Sequence, residues 1–231
     1  MRFPRRQDLA QGIARGTVAV LTLMLLTALA EPRPALAQTE SVLYSFCSVS
    51  NCAAGSTPIG GLVADTVGNL YGTTLYGGAN SSGGVAGGAV FKLNPAGDES
   101  VFYSFHNGFP NDGYFPYGPL TIDAQGNLYG TTELGGAHSI HVAHGDGIAF
   151  KVSPDGTETI LHNFGAYKID GVEPRGGMVV DAKGNIYGST FIGGASEFGT
   201  VFRITPEGTE SVLHNFAYTN TDGGYPWGAS S

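Results

Sequence analysis

The chain has 231 residues, 42% hydrophobic and 13% charged, and its 37 glycines are about twice the usual share. So much glycine excludes a mostly helical protein, because each interior helical Gly costs about 1 kcal/mol relative to Ala. Thirteen Phe and eleven Tyr exclude low-complexity disorder, and no three-residue Gly period supports collagen. A β-rich chain with many tight turns remains.

Residues 1–37 read as a secretory signal. Arg2, Arg5, Arg6 and Arg15 form a positive start, Thr17 to Ala30 is an apolar run, and Ala35-Leu36-Ala37 is a cleavage triplet. The apolar run is short for a membrane span of about 20 residues. Pro32 and Pro34 before the triplet also argue against a retained anchor. The Arg5-Arg6 pair hints at twin-arginine export, which Asp8 weakens. The expected location is therefore outside the cytoplasm: extracellular, periplasmic or cell-surface. Beyond residue 37 the chain carries 6 basic and 17 acidic side chains, a net of −11. That balance disfavours nucleic acid and anionic membranes, which require basic surfaces. Neutral polymers such as extracellular glycans, other proteins and divalent cations fit it better. Cys47 and Cys52 are the only cysteines, and in an exported chain this C-x4-C pair is expected to form a disulfide closing a short loop.

The remainder is a repeat. Gly68-Asn69-Leu70-Tyr71-Gly72-Thr73-Thr74 recurs at 126–132 and, as Gly-Asn-Ile-Tyr-Gly-Ser-Thr, at 184–190, a spacing of 58 residues each time. Asp65, Asp123 and Asp181 stand three residues ahead of each copy, and Gly-Gly-Ala follows at 77–79, 135–137 and 193–195. Val90-Phe91-Lys92-Leu93, Ala149-Phe150-Lys151-Val152 and Val201-Phe202-Arg203-Ile204 come next, each closed by Pro-x-Gly. Each unit reads as four short strands, a to d. In the first unit they are Gly61–Asp65, Asn69–Thr74, Ala89–Asn94 and Glu99–Phe105. The units span about 58–105, 116–164 and 174–216, and 217–231 reads as the start of a truncated fourth. An orphan copy of strand d is expected over 40–46. Four antiparallel strands per repeat predict an all-β, β-propeller-like array of blades, incomplete at about three blades; a β-solenoid is the alternative. An open array would leave a strand edge able to pair with other copies of the chain.

These motifs resemble the GloVer-type (choice-of-anchor) extracellular tandem repeat family across residues 38–231. The resemblance implies exported proteins with varied C-terminal anchors, and it brings no biochemical activity with it. The D-x-x-G-N-L-Y and Pro-x-Gly elements are also similar to blades of lactonase-like and NHL-type propellers, a likeness of fold alone.

Blade geometry places the short a–b and c–d turns on one face and the long b–c and d–a loops on the other. The long loops carry the candidate sites. His138, His141, His144 and Asp146 offer up to four ligands for zinc or copper, against the blander reading of a polar insertion. Asp112, Asp170 and Asp222, each followed by Gly, could recur as calcium ligands around a rim, but Asp-Gly is common in turns. His162 and His214 align with Tyr44 and Tyr103 on strand d and read as half-buried blade surface. Tyr71, Tyr129 and Tyr187 read as packing between blades, and Phe46, Phe105, Phe164 and Phe216 as core. No catalytic pattern emerges, and no cofactor is expected beyond a divalent metal. The leading expectation is a surface or extracellular binding or structural module. A propeller-type hydrolase or lyase and a metal-binding module are the alternatives.

Overall fold

A computed structural model describes residues 40–47, 52–79, 87–106, 112–139, 144–167 and 169–226. The expected signal segment 1–37, His141 and residues 227–231 lie outside them. Val42–Ser231 forms one compact unit.

The elements follow the repeat. In chain order they are β1 (Ser56–Pro58), β2 (Val63–Ala64), β3 (Leu70–Tyr76), β4 (Ala89–Leu93) and β5 (Glu99–Ser104). The second unit has β6 (Gly113–Tyr114), β7 (Thr121–Ile122), β8 (Leu128–Thr132), β9 (Leu134–Gly135), β10 (Ile148–Val152) and β11 (Glu158–Asn163). The third has β12 (Gly171–Val172), β13 (Val179–Val180), β14 (Ile186–Thr190), β15 (Ile192–Gly193), β16 (Thr200–Ile204) and β17 (Glu210–Asn215). Three four-stranded antiparallel sheets result, β2-β3-β4-β5, β7-β8-β10-β11 and β13-β14-β16-β17. This is the propeller-like blade, all-β, with strand a innermost and strand d outermost. Strand a is shorter than the sequence suggests, two residues in each blade. The chain just before it pairs instead with the far end of strand b or its continuation, as β1 on β3, β6 on β9 and β12 on β15. A bulge recurs between strands c and d, at Val90/Phe91, Ala149/Phe150 and Val201/Phe202.

The core lies between blades. One cluster joins Tyr71, Val90 and Phe105 to Leu128, Ile148 and Phe150; a second joins Ala149 and Phe164 to Ile186, Phe202 and Ile204. The repeated Gly of strand b explains how the large rings fit. Gly130 stands opposite Phe150 on strand c, and a Cβ on Gly130 would lie 2.5 Å from the ring tip. The ring of Phe150 lies over the bare backbone and meets Phe105 of the preceding blade edge-on at 5.0 Å. Phe164 meets Phe202 in the same way, also at 5.0 Å. Each strand-d Phe therefore keys one blade onto the strand-c Phe of the next.

The orphan segment keeps this contact without being a strand. Residues 40–45 have no ladder partner, a departure from the expected strand, yet Phe46 packs edge-on against Phe91 at 4.7 Å. Residues 44–46 thus occupy the place that a preceding strand d would fill. Phe105 and Phe164 are fully buried, as expected of core. Phe46 and Phe216, at the two ends of the row, are half-buried.

Candidate functional site

On the short-turn face the repeated aspartates are fully engaged in structure. Asp123 Oδ1 accepts from the Gln125 and Asn127 backbone N–H groups, both at 2.9 Å. Its Oδ2 accepts from Asn127 Nδ2 at 2.8 Å and from the Tyr129 hydroxyl at 2.9 Å. Asp65 and Asp181 repeat all four bonds. The Asn185 amide leads the donors that hold the Asp181 carboxyl down to about 2. Burial, then the bond to Asp123, pushes Tyr129 up to about 12. The motif's Tyr therefore locks its own turn as well as packing between blades. Grooves of about 640 and 430 Å³ run beside these turns, and the aspartates lining them have no carboxylate oxygen left over.

The long-loop face is different. At one position in every unit the chain entering the blade turns into the left-handed region on a residue other than Gly: Thr57, Phe115, Glu173 and Tyr225, with φ of 60°, 62°, 52° and 55°. Such backbone costs about 1–3 kcal/mol and persists only where its surroundings enforce it. Here the enforcing bonds recur: Phe115 N donates to Gly87 O, Glu173 N to Asp146 O and Tyr225 N to Phe198 O, at 2.8–3.0 Å. One strained position thus presents a different side chain in each unit. Around it gather Tyr76, 5.3 Å from Phe115, and Phe191, 5.3 Å from Tyr225. Arg175 lies 4.2 Å over the Phe191 ring and pairs with Glu133 at 2.7 Å and Glu173 at 2.8 Å. This row escaped the sequence reading because its residues share no type. The signal that could have found it is the proline that follows each member, Pro58, Pro116, Pro174 and Pro226.

The junctions between outer strands hold a second constellation. The strand-d position of Tyr103 and His162, the Asp-Gly aspartate after it, and the Glu opening the next strand d come together. At the first junction the Tyr103 hydroxyl donates to Asp112 Oδ2 at 3.2 Å, beside Glu158. Burial, then the Asp112 charge, pushes Glu158 up to about 7. At the second junction His162 Nε2 is 3.3 Å from Asp170 Oδ2, and one ligand atom each from His162, Asp170 and Glu210 lie within 4.8 Å of one another. Burial is also the main cause that raises the Glu210 carboxyl. At the third, His214 Nε2 is 3.0 Å from Asp222 Oδ1. The aspartates close their loops, taking backbone N–H bonds from His106, Ala166 and Ala217. They are thus part of three separate junctions.

In the three-His loop, Asp146 is fully buried with its N–H on the His138 carbonyl, His138 is half-buried and His144 is exposed. Cys47 and Cys52 are disulfide-bonded, with Cα atoms 4.3 Å apart. Among the described residues no helix is long and apolar enough to cross a membrane.

No curated protein matches this sequence. Among solved structures, the chain is similar to a gluconolactonase from Xanthomonas campestris (14% identity, TM-score 0.47, 71% of this chain and 50% of that one). It is also similar to a streptogramin B lyase (16%, 0.39, 69% and 40%) and a luciferin-regenerating enzyme (15%, 0.41, 67% and 44%). The chain therefore spans half or less of the length of these proteins. The model of the Gloeobacter/Verrucomicrobia repeat matches residues 34–230, so the chain belongs to that repeat family.

Proposed function

We infer that the protein is an exported repeat module whose long-loop face binds a neutral extracellular or cell-surface polymer, with glycan as the favoured class. The observation that carries this reading is the row Thr57, Phe115, Glu173 and Tyr225 on a shared left-handed backbone. Fixed backbone with variable side chains suits recognition, because the scaffold bears the strain and the side chains set what is bound. Aromatic rings with a nearby Arg and acids offer stacking and hydrogen bonds to sugar, and the net negative charge favours an uncharged partner.

The blade axis supports a scaffold role. Strand a of each blade is preceded by glycine packed on its neighbour: a Cβ on Gly118 would lie 2.5 Å from the Gly176 carbonyl oxygen. Backbone on backbone leaves that position without side chains to do chemistry, so function falls to the loops.

The test is retention of the purified protein on insoluble glycans and on cell-envelope fractions. Wild type is expected to be retained, and Tyr76→Ala with Tyr225→Ala to be released while keeping the β circular dichroism of the parent. Absence of retention on every glycan and envelope fraction would remove this reading. Retention on envelope protein after the glycan is digested would reassign the partner class.

A further inference from the structure

We propose that the second blade junction is a divalent transition-metal site built from His162, Asp170 and Glu210. It is independent of the loop-face reading, since none of these residues belongs to the strained row.

Three observations converge. First, the residues come from the outer strands of two blades and the loop between them, β11, the Asp-Gly turn and β17, yet they bring one nitrogen and two carboxylates within 4.8 Å of one another. Second, Asp170 is only 4% exposed, and its Oδ1 is buried with no hydrogen-bond donor; Glu210 Oε1 is also without one, as are its counterparts on Glu99 and Glu158, so the aspartate oxygen is what sets this junction apart. Buried acceptors without partners are rare and costly, and a bound ion is one of the few ways to satisfy them. Third, the first junction supplies an internal comparison. There Asp112 Oδ1 receives the Gly113 N–H at 2.7 Å and Tyr103 replaces the histidine. An imidazole reaches the aspartate at all three junctions, His106 Nδ1 lying 3.1 Å from Asp112 Oδ2 at the first, but among the three aspartates only Asp170 keeps a buried oxygen without a donor.

One imidazole and two carboxylates form a donor set for zinc and neighbouring divalent ions, with a fourth position left for water or a ligand group. That position has somewhere to open. A groove of about 520 Å³ lies against the triad, lined also by Tyr167, Ile169 and Ser211. The bond from Ala166 N–H to Asp170 Oδ2 at 3.1 Å holds the carboxylate in place, the kind of support that orients a metal ligand. His214 and Asp222 supply only the His–Asp half of the set.

The experiment is zinc titration of the purified, metal-stripped full chain by calorimetry, with metal content of the dialysed complex as a second readout. Wild type should take up one equivalent. His162→Tyr installs the residue that the first junction already carries, so the fold should be kept while affinity falls by more than about 100-fold. Asp170→Asn, whose amide oxygen still accepts from Ala166, should do the same. His141→Ala should leave the equivalent in place, which separates this junction from the three-His loop. Cobalt loaded at the site should show a visible spectrum that His162→Tyr abolishes. Failure of wild type to hold zinc or cobalt, or equal uptake by wild type and His162→Tyr, would overturn the proposal.

Discussion

Removing the ring of Phe164 tests whether the blades are held together by their strand-d phenylalanines. Phe164 is 1% exposed, meets Phe202 of the next blade edge-on at 5.0 Å and lies 4.8 Å from the His162 ring. Truncating such a ring to Ala costs about 3–5 kcal/mol, from lost transfer energy and the cavity left behind. The matched control is Phe216→Ala. Phe216 holds the same place on the last strand d and keeps the neighbouring histidine at 4.8 Å, but it is half-buried. Half of a Phe's burial is worth about 1 kcal/mol. With a urea slope of about 3 kcal/mol per molar, the first variant should lower the midpoint by about 1 M or more and the second by about a third of that. Urea unfolding followed by circular dichroism and by aromatic fluorescence reads both. Amide exchange should show protection lost on both sides of the second junction, because in repeat architectures stability resides in the interfaces between units. Equal midpoint shifts for the two variants would refute the keying argument and move the stabilising term into the individual sheets.

Other expectations follow from the same geometry. Gly130→Ala should destabilise by about 1–3 kcal/mol, because its new methyl would overlap the Phe150 ring; a thermal midpoint unchanged from the parent would contradict the packing described. Glu158 has a folded-state value raised to about 7, so its contribution to stability is present below the ordinary carboxylate range and fades as pH rises through about 7. Urea midpoints should therefore rise from pH 8 to pH 5.5, and Glu158→Gln should reduce that rise; an unchanged slope would exclude it as a source. Asp181 acts in the opposite sense: its carboxyl is depressed to about 2, so its contribution is present above the ordinary range and is lost as pH falls from about 4 towards 2. Asp181→Asn should flatten that acid limb, and an acid limb as steep as the parent's would argue against the four-donor cage.

The sequence by itself determined the blade. A seven-residue core returning every 58 residues, with Asp, Gly-Gly and Pro-x-Gly at constant offsets, fixes strand number, turn chemistry and the identity of the core rings, since those depend on local backbone and on alternation along a strand. Even Gly130 is foretold as a recurring residue, though its reason is tertiary: it stands bare because Phe150, on another strand, lies across it. Tyr129 read as packing, and only the folded turn revealed its hydroxyl on Asp123. The 40–46 segment has the letters of a strand but no neighbour to pair with, so it keeps the aromatic contact and not the ladder. The candidate sites were least legible. Phe115, Glu173 and Tyr225 differ in type, and although each precedes a proline, the left-handed backbone they share shows only in the folded chain. His162 and Asp170 were visible one by one, as a blade-surface histidine and a turn aspartate, while Glu210 is one more acid at the start of a strand. Their meeting depends on one blade lying beside the next, because the charge and ligand chemistry of a junction belongs to two units at once.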